Sequence, residues 1–195
     1  MPTQRIVFAG GPGSGKTTLL HALQLRGYPV VGDSARAIIQ ARKSQSLSPR
    51  PPPLEFAHAI LRLDIKQYEE HAFEAGRVFF ERGVVDALGM LHEVGALPEN
   101  ELKALLSAYP YHQQVFLFPP WEAVYANDAE RDQTFVEAAR VYRGASAWYE
   151  RCGYEVVEVP KVGVAERCAF VLQALGEPIG SDTKTSTERP AEKRR

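Results

Sequence analysis

The run from Gly10 to Thr18, GGPGSGKTT, concentrates more chemistry than any other stretch of the chain. It fits G-x-x-x-x-G-K-[ST], with Gly10, Gly15, Lys16 and Thr17 at the fixed places. Glycines let backbone N–H groups converge on phosphate oxygens with no Cβ in the way, and a following helix N-terminus adds positive potential. Gly11, Pro12, Gly13, Ser14, Gly15, Lys16, Thr17 and Thr18 are therefore expected to cradle a nucleoside triphosphate. Lys16 would reach the β- and γ-phosphates, and the Thr17 hydroxyl would ligate Mg2+. Chance yields this pattern in roughly one chain of this length per hundred. A preceding strand and a following helix make chance less adequate still. The glycines do not fit G-x-G-x-x-G, so a dinucleotide is excluded by register.

Further charged residues stand where an open α/β sheet places its ligand, beyond the carboxyl ends of strands. Asp33 follows the second expected strand and Glu81-Arg82 the third, with Asp86 shortly after. Glu81 is expected to hold Mg2+ together with Thr17, or to position the attacking group. Asp33 reads equally as a helix cap and as a catalytic acid, and so does Asp86. Arg82, fixed beside the cradle, is expected to bind phosphate or substrate. Between the fourth strand and a long helix lies YANDAERD, Tyr125 to Asp132. It reads either as a kinase-like lid, with Arg131 facing the γ-phosphate and Arg140 and Arg143 as further candidates, or as a solvated helix start rich in charge.

The elements that must position these groups follow from periodicity. Arg5–Ala9, Pro29–Val31, Val78–Phe80, Gln114–Phe118 and Tyr154–Val159 read as strands. Lys16–Arg26, a helix capped by Asp33 or Ser34, Leu54–Ala75, Ala129–Arg151 and Val164–Leu175 read as helices, with short helical pieces after Arg82. Prolines make Ser44–Pro53 a loop. The alternation predicts an α/β fold, a three-layer P-loop NTPase with a five-stranded parallel sheet. Residues 1–176 would form one domain and 177–195 a disordered polar tail.

Composition narrows the partners. A formal net charge of -1 supplies no basic field for nucleic acid. No apolar run reaches a membrane span, and no signal-peptide layout opens the chain, so a cytoplasmic place is expected. Cys152 and Cys168 read as small core residues, Trp121 and Trp148 as packing residues. The five histidines lack metal-ligand spacing. Asp86-Ala87-Leu88-Gly89 matches D-x-x-G but follows no strand directly, and no N-K-x-D occurs, which argues against a Ras-like GTPase.

Four pieces in order, GGPGSGKTTL, VVGDSARAII, FFERG and PPWEAVYANDAERDQTFVEA, resemble the small AAA-like P-loop family related to the kinase domain of NadR-type nicotinamide riboside kinases. The likeness covers residues 4 to 176. It implies a kinase-type core, with Lys16 and Thr17 in the cradle, Asp33 and Arg36 after strand two, Glu81 and Arg82 after strand three, and Arg131 in the lid. That family more often has Asp where Glu81 stands. One branch of it is reported to bind GTP and phosphoinositides.

Two functions are therefore expected to compete. The first is Mg2+-dependent phosphoryl transfer from ATP, or from GTP, to a small-molecule acceptor held between the Ser44–Pro53 loop, the next helix and Asp33. The second is a nucleotide-loaded switch that binds a protein or phospholipid with little or no transfer. In both, Pro160-Lys161-Val162-Gly163 would contact the base.

Overall fold

The chain alternates strand and helix as its periodicity demands. The computed structural model describes residues 2–124 and 135–177. Five strands, β1 (Gln4–Gly10), β2 (Val30–Val31), β3 (Arg77–Glu81), β4 (Gln114–Phe118) and β5 (Glu155–Glu158), form one sheet in the order β2-β3-β1-β4-β5. Every neighbouring pair is parallel. The cradle strand β1 is central, which puts Gly10 at the middle of the sheet's carboxyl edge.

Seven helices connect and cover the strands: α1 (Lys16–Gln24), α2 (Ser34–Ser44), α3 (Pro53–Glu70), α4 (Val84–Glu93), α5 (Glu99–Ala108), α6 (Phe135–Arg151 as described) and α7 (Val164–Ala174). The period-two alternation of the strands sorts their side chains into two cores. Ile6, Phe8, Phe79, Phe116 and Phe118 face α1 and α7 and pack with Leu19, Leu23 and Val171. Val7, Ala9, Val78, Phe80, Val115 and Leu117 face the other way, onto Ile60, Leu61, Leu88 and Tyr149 of α3, α4 and α6. Both faces are covered, as parallel sheets require, and three layers result. The aromatic face is tightly knit, with Phe8 ringed by Phe79, Phe116 and Phe118 at centroid distances of 5.0 to 6.1 Å. Cys168 is buried in that core, as a small hydrophobe should be.

Most element ends shift by one or two residues from the sequence expectation, and a few differences have a visible cause. Helix α3 stops at Glu70 rather than Ala75, because Thr3 Oγ1 reaches the carbonyls of Ala72 and Glu74 and ties that stretch to the start of β1. Gly76, at φ 90°, turns the chain into β3 instead of ending the helix. The short pieces after Arg82 are two ten-residue helices, α4 and α5. Helix α4 is apolar on nearly every side, VVDALGML, so it carries no helical period to read. Glu177, expected to open the tail, accepts a hydrogen bond from Tyr28 and pairs with Arg77. Among the described residues, no helix is long and apolar enough to cross a membrane.

Candidate active site

The cradle forms where β1 ends and α1 begins. Backbone packing requires Gly10 and Gly11, where a Cβ would stand 2.5 Å from the carbonyl oxygens of Phe118 and of Ala138 in α6, respectively. Gly15 is required by its backbone, at φ +87°, and lies against the Arg167 guanidinium. Helix α1 has neither a side-chain cap nor an acid in its first turn. Its N-terminal N–H groups are thus left for an anion. Ser14 and Lys16 are buried, while Thr17 and Thr18 are exposed on the helix start.

Lys16 is buried within the cradle. Its ammonium folds across the loop onto the carbonyls of Gly11 (2.8 Å) and Gly10 (3.3 Å), with Ser14 Oγ at 3.4 Å. Burial, and after it the neighbouring Arg82, lowers its pKa to about 8. A phosphate anion would restore the charge's solvation, so the side chain is poised to exchange carbonyls for phosphate oxygens.

The two residues expected to hold a metal lie together. Thr17 Oγ1 donates to Glu81 Oε2 at 2.7 Å, joining the α1 start to the β3 end. Glu81 is 6% exposed, and no basic side chain pairs with it among the described residues. Hydroxyl and carboxylate are hard oxygen donors that suit Mg2+, which takes few protein ligands and completes its shell with water and phosphate. Among the described residues, no cluster of three or more His, Cys, Asp or Glu side chains is built to hold a metal alone.

Asp33 takes the cap role and leaves one oxygen toward Arg82. Oδ1 caps α2, accepting from the N–H groups of Ala35 (2.8 Å) and Arg36 (3.2 Å), while Oδ2 lies 3.6 Å from Arg82 Nε. Arg82 is held in turn by the Gly10 carbonyl, to which Nη2 donates at 3.1 Å. Burial alone would depress the Arg82 guanidinium, but Asp33, Asp86 and Glu81 outweigh it and raise its pKa. Its backbone sits at φ 66°, in the left-handed region that non-glycine residues avoid. Such strain is kept where the surroundings fix a side chain's aim. Asp86 caps α4, accepting from the Gly83 N–H at 3.1 Å and from the Tyr149 hydroxyl at 2.6 Å. It is thereby tied to α6 and does not reach the cradle by any hydrogen bond.

A cavity of about 310 Å³ opens beside these groups. Ile39 of α2, Phe56 and Ile60 of α3 and Met90 of α4 give it apolar walls. Lys16, Asp33, Glu81 and Arg82 give it one charged end, and Arg50, from the proline-rich loop, stands at its border. Arg36 also lines it. Arg140 and Arg143 are exposed on α6. Arg131 and the rest of the expected lid lie outside the described residues.

Sequence reasoning missed Asp64. It sits on the buried face of α3, one turn after Ile60 and Leu61, and is 4% exposed. Ser34 Oγ is 2.5 Å from Asp64 Oδ1 and 2.9 Å from Gln67 Oε1. Burial first, with Asp86 and Asp33 adding, pushes the Asp64 pKa to about 8 in spite of the Ser34 hydrogen bond. The available signal was a carboxylate at a core position of an amphipathic helix. Asp64 keeps a proton in the fold that the unfolded chain gives up near pH 4, so stability falls as pH rises from about 4 to about 8. Asp64→Asn should therefore leave Tm unchanged near pH 4 and raise it progressively toward pH 8. Thermal melts across that range check this, and a gain that is the same at every pH would refute the neutral carboxyl.

Comparisons with known proteins agree with this geometry. The sequence profile of a family described as an AAA domain matches residues 5–167. The chain belongs to that AAA-domain family. No curated protein sequence matches it. Among solved structures, the fold of the AAA-domain chain is shared by a deoxyadenosine kinase from M. mycoides with bound dATP, at TM-score 0.60 and 11% identity, covering 89% of this chain and 100% of that one. A second structure of that kinase, with the products dCMP and dCDP, superposes at 0.61 with 11% identity over 88% and 98%. The NadR protein in complex with NR gives 0.64 with 14% identity, covering 93% of this chain and 54% of the NadR chain. This AAA-domain chain thus has the three-layer P-loop fold of small kinases, and spans about half of NadR.

Proposed function

We propose that this chain is a Mg2+-dependent phosphotransferase that moves the γ-phosphoryl group of ATP, or of GTP, to a hydroxyl of a nucleoside-sized acceptor. The observation that carries this reading is the cavity of about 310 Å³, apolar along its walls and ending on Lys16, Asp33, Glu81 and Arg82. A pure switch has no use for a cleft with apolar walls opening onto its phosphate loop. The kinases that share the fold were captured with nucleosides or nucleotides, which supports an acceptor of that size.

In this reading the acceptor's sugar or ring lies on Phe56, Ile60 and Ile39, and its hydroxyl points at Asp33. Asp33 Oδ2 takes the hydroxyl proton as the acceptor oxygen bonds to the γ-phosphorus and the bond to the β-bridging oxygen breaks. Oδ1 stays on its cap, so the carboxylate is oriented before substrate arrives. Lys16 neutralises the β- and γ-oxygens. Arg82 steadies Asp33 and adds positive charge at the transfer end. Thr17 and Glu81 would hold the Mg2+, which supplies charge neutralisation on the phosphate oxygens when bound. Arg131 would close over the γ-phosphate from the lid.

Steady-state turnover with Mg2+-ATP and Mg2+-GTP against a panel of nucleosides and ribosides tests the proposal. At least one acceptor should give phosphorylated product at well above the rate of hydrolysis. Tight nucleotide binding with no transfer to any acceptor would overturn it in favour of the switch.

A further inference from the structure

The phosphate cradle has two flanks. The β3–β2 side is taken by the acceptor cavity, walled by α2, α3 and α4. The triphosphate's nucleoside must therefore leave on the opposite side, over the carboxyl ends of β4 and β5. Three pieces of the chain meet there. Trp121 stands just after β4, the 160–163 turn follows β5, and Arg167 lies in the first turns of α7.

Arg167 is the anomaly of that flank. It is 4% exposed, yet no carboxylate pairs with it among the described residues. Nη1 donates to the cradle carbonyl of Ser14 at 3.4 Å, and its guanidinium lies 5.5 Å from the Trp121 ring centre. Nε is buried with no hydrogen-bond partner. Burial lowers its pKa, as an uncompensated cation requires. An unpaired buried donor and charge are costly unless something else meets them. Trp121 is no better explained as packing. It is only half-buried, unlike the fully buried core ring of Tyr149.

We propose that Trp121 and Arg167 form the platform on which the nucleobase of the bound triphosphate stacks. The inference rests on the cradle's holding a triphosphate and goes beyond it, since it assigns the base to side chains rather than to the 160–163 turn alone. A purine offers a π-face to the indole and ring-nitrogen acceptors to a donor-only guanidinium. Stacking on an aromatic side chain tolerates either purine, so ATP and GTP should both use the platform. The turn at 160–163 borders it, with the Gly163 N–H held by Glu166 Oε2 at 2.9 Å.

The test compares ATP with inorganic tripolyphosphate, which has the phosphates and no base. Trp148→Phe leaves Trp121 as the sole tryptophan, because the chain has two. ATP should quench its fluorescence and tripolyphosphate should not. Trp121→Ala should weaken ATP about tenfold while leaving tripolyphosphate affinity unchanged, and Trp121→Phe should recover most of the loss. Equal ATP affinity in Trp121→Ala, or parallel loss of both ligands, overturns the platform and returns Arg167 to bracing the loop. If the unmodified protein binds neither ligand, the cradle reading fails as well. Should Trp121→Ala not fold, the fluorescence titration and Trp121→Phe still decide the matter.

Discussion

Replacing Lys16 with Ala should abolish measurable triphosphate binding and leave a folded protein. In the fold the ammonium is buried and spans the loop, bonded to the Gly10 and Gly11 carbonyls. Those bonds favour the empty cradle, but the cost of burying the charge, which lowers its pKa to about 8, opposes them. The two contributions offset, so Tm should move little. Binding has no such offset. A bound triphosphate brings several negative charges into a site whose other contributors are backbone dipoles, the α1 N-terminus and Arg82. Without Lys16 the nearest counter-charge inside the loop is gone. Loss of a charge-assisted contact in a dry site weakens binding by about a hundredfold or more. Calorimetric titration with Mg2+-ATP reads this directly, with a thermal melt as control for folding. Binding at the parent affinity would remove the P-loop reading altogether.

Glu81→Gln should give the opposite pattern, with nucleotide affinity kept and turnover lost. The amide oxygen can still accept from the Thr17 hydroxyl, so the contact between α1 and β3 at 2.7 Å survives. Its negative charge does not, and with it goes a ligand for Mg2+ or a means of orienting the reacting oxygen. Turnover should fall roughly a hundredfold or more. The double measurement matters because Glu81 is buried at a strand end, where a damaging substitution would lower both quantities. Equal kcat in the variant and the parent would reduce Glu81 to a structural partner of Thr17. A joint loss of affinity and kcat that follows a lower Tm would point to local unfolding.

The sequence by itself determined whatever depends on neighbours along the chain. The cradle is such a case, since strand, glycine loop, Lys16 and helix are contiguous and their chemistry is fixed by spacing. The five strands are another, because β-rich runs bounded by glycine and proline are local signals. Their parallel pairing then followed from the intervening helices. The Thr17–Glu81 contact was legible too, since the carboxyl ends of a parallel sheet share one edge, Glu81 ends β3, and Thr17 opens the helix that follows β1.

Only the tertiary structure decided the rest, and each instance involves partners distant in sequence. That Asp33 caps α2 through one oxygen and leaves the other 3.6 Å from Arg82 needed the fold, which brings together residues 49 apart in the chain. The left-handed backbone at Arg82 has no sequence mark, because arginine does not favour it. The burial of Lys16 is not written in its motif either; α6 and α7 pack their backbone and guanidinium against the loop at Gly11 and Gly15. The acceptor cavity needs walls from α2, α3 and α4 at once. Asp64 shows the reason most plainly. A hydrophobic period tells which face of a helix is buried, but only long-range packing tells that the carboxyl there will meet Ser34, 30 residues earlier, and be buried deeply enough to hold its proton against that hydrogen bond. Local spacing fixes what each segment can do; burial, which no local segment achieves alone, sets the charge and the aim of the groups that do it.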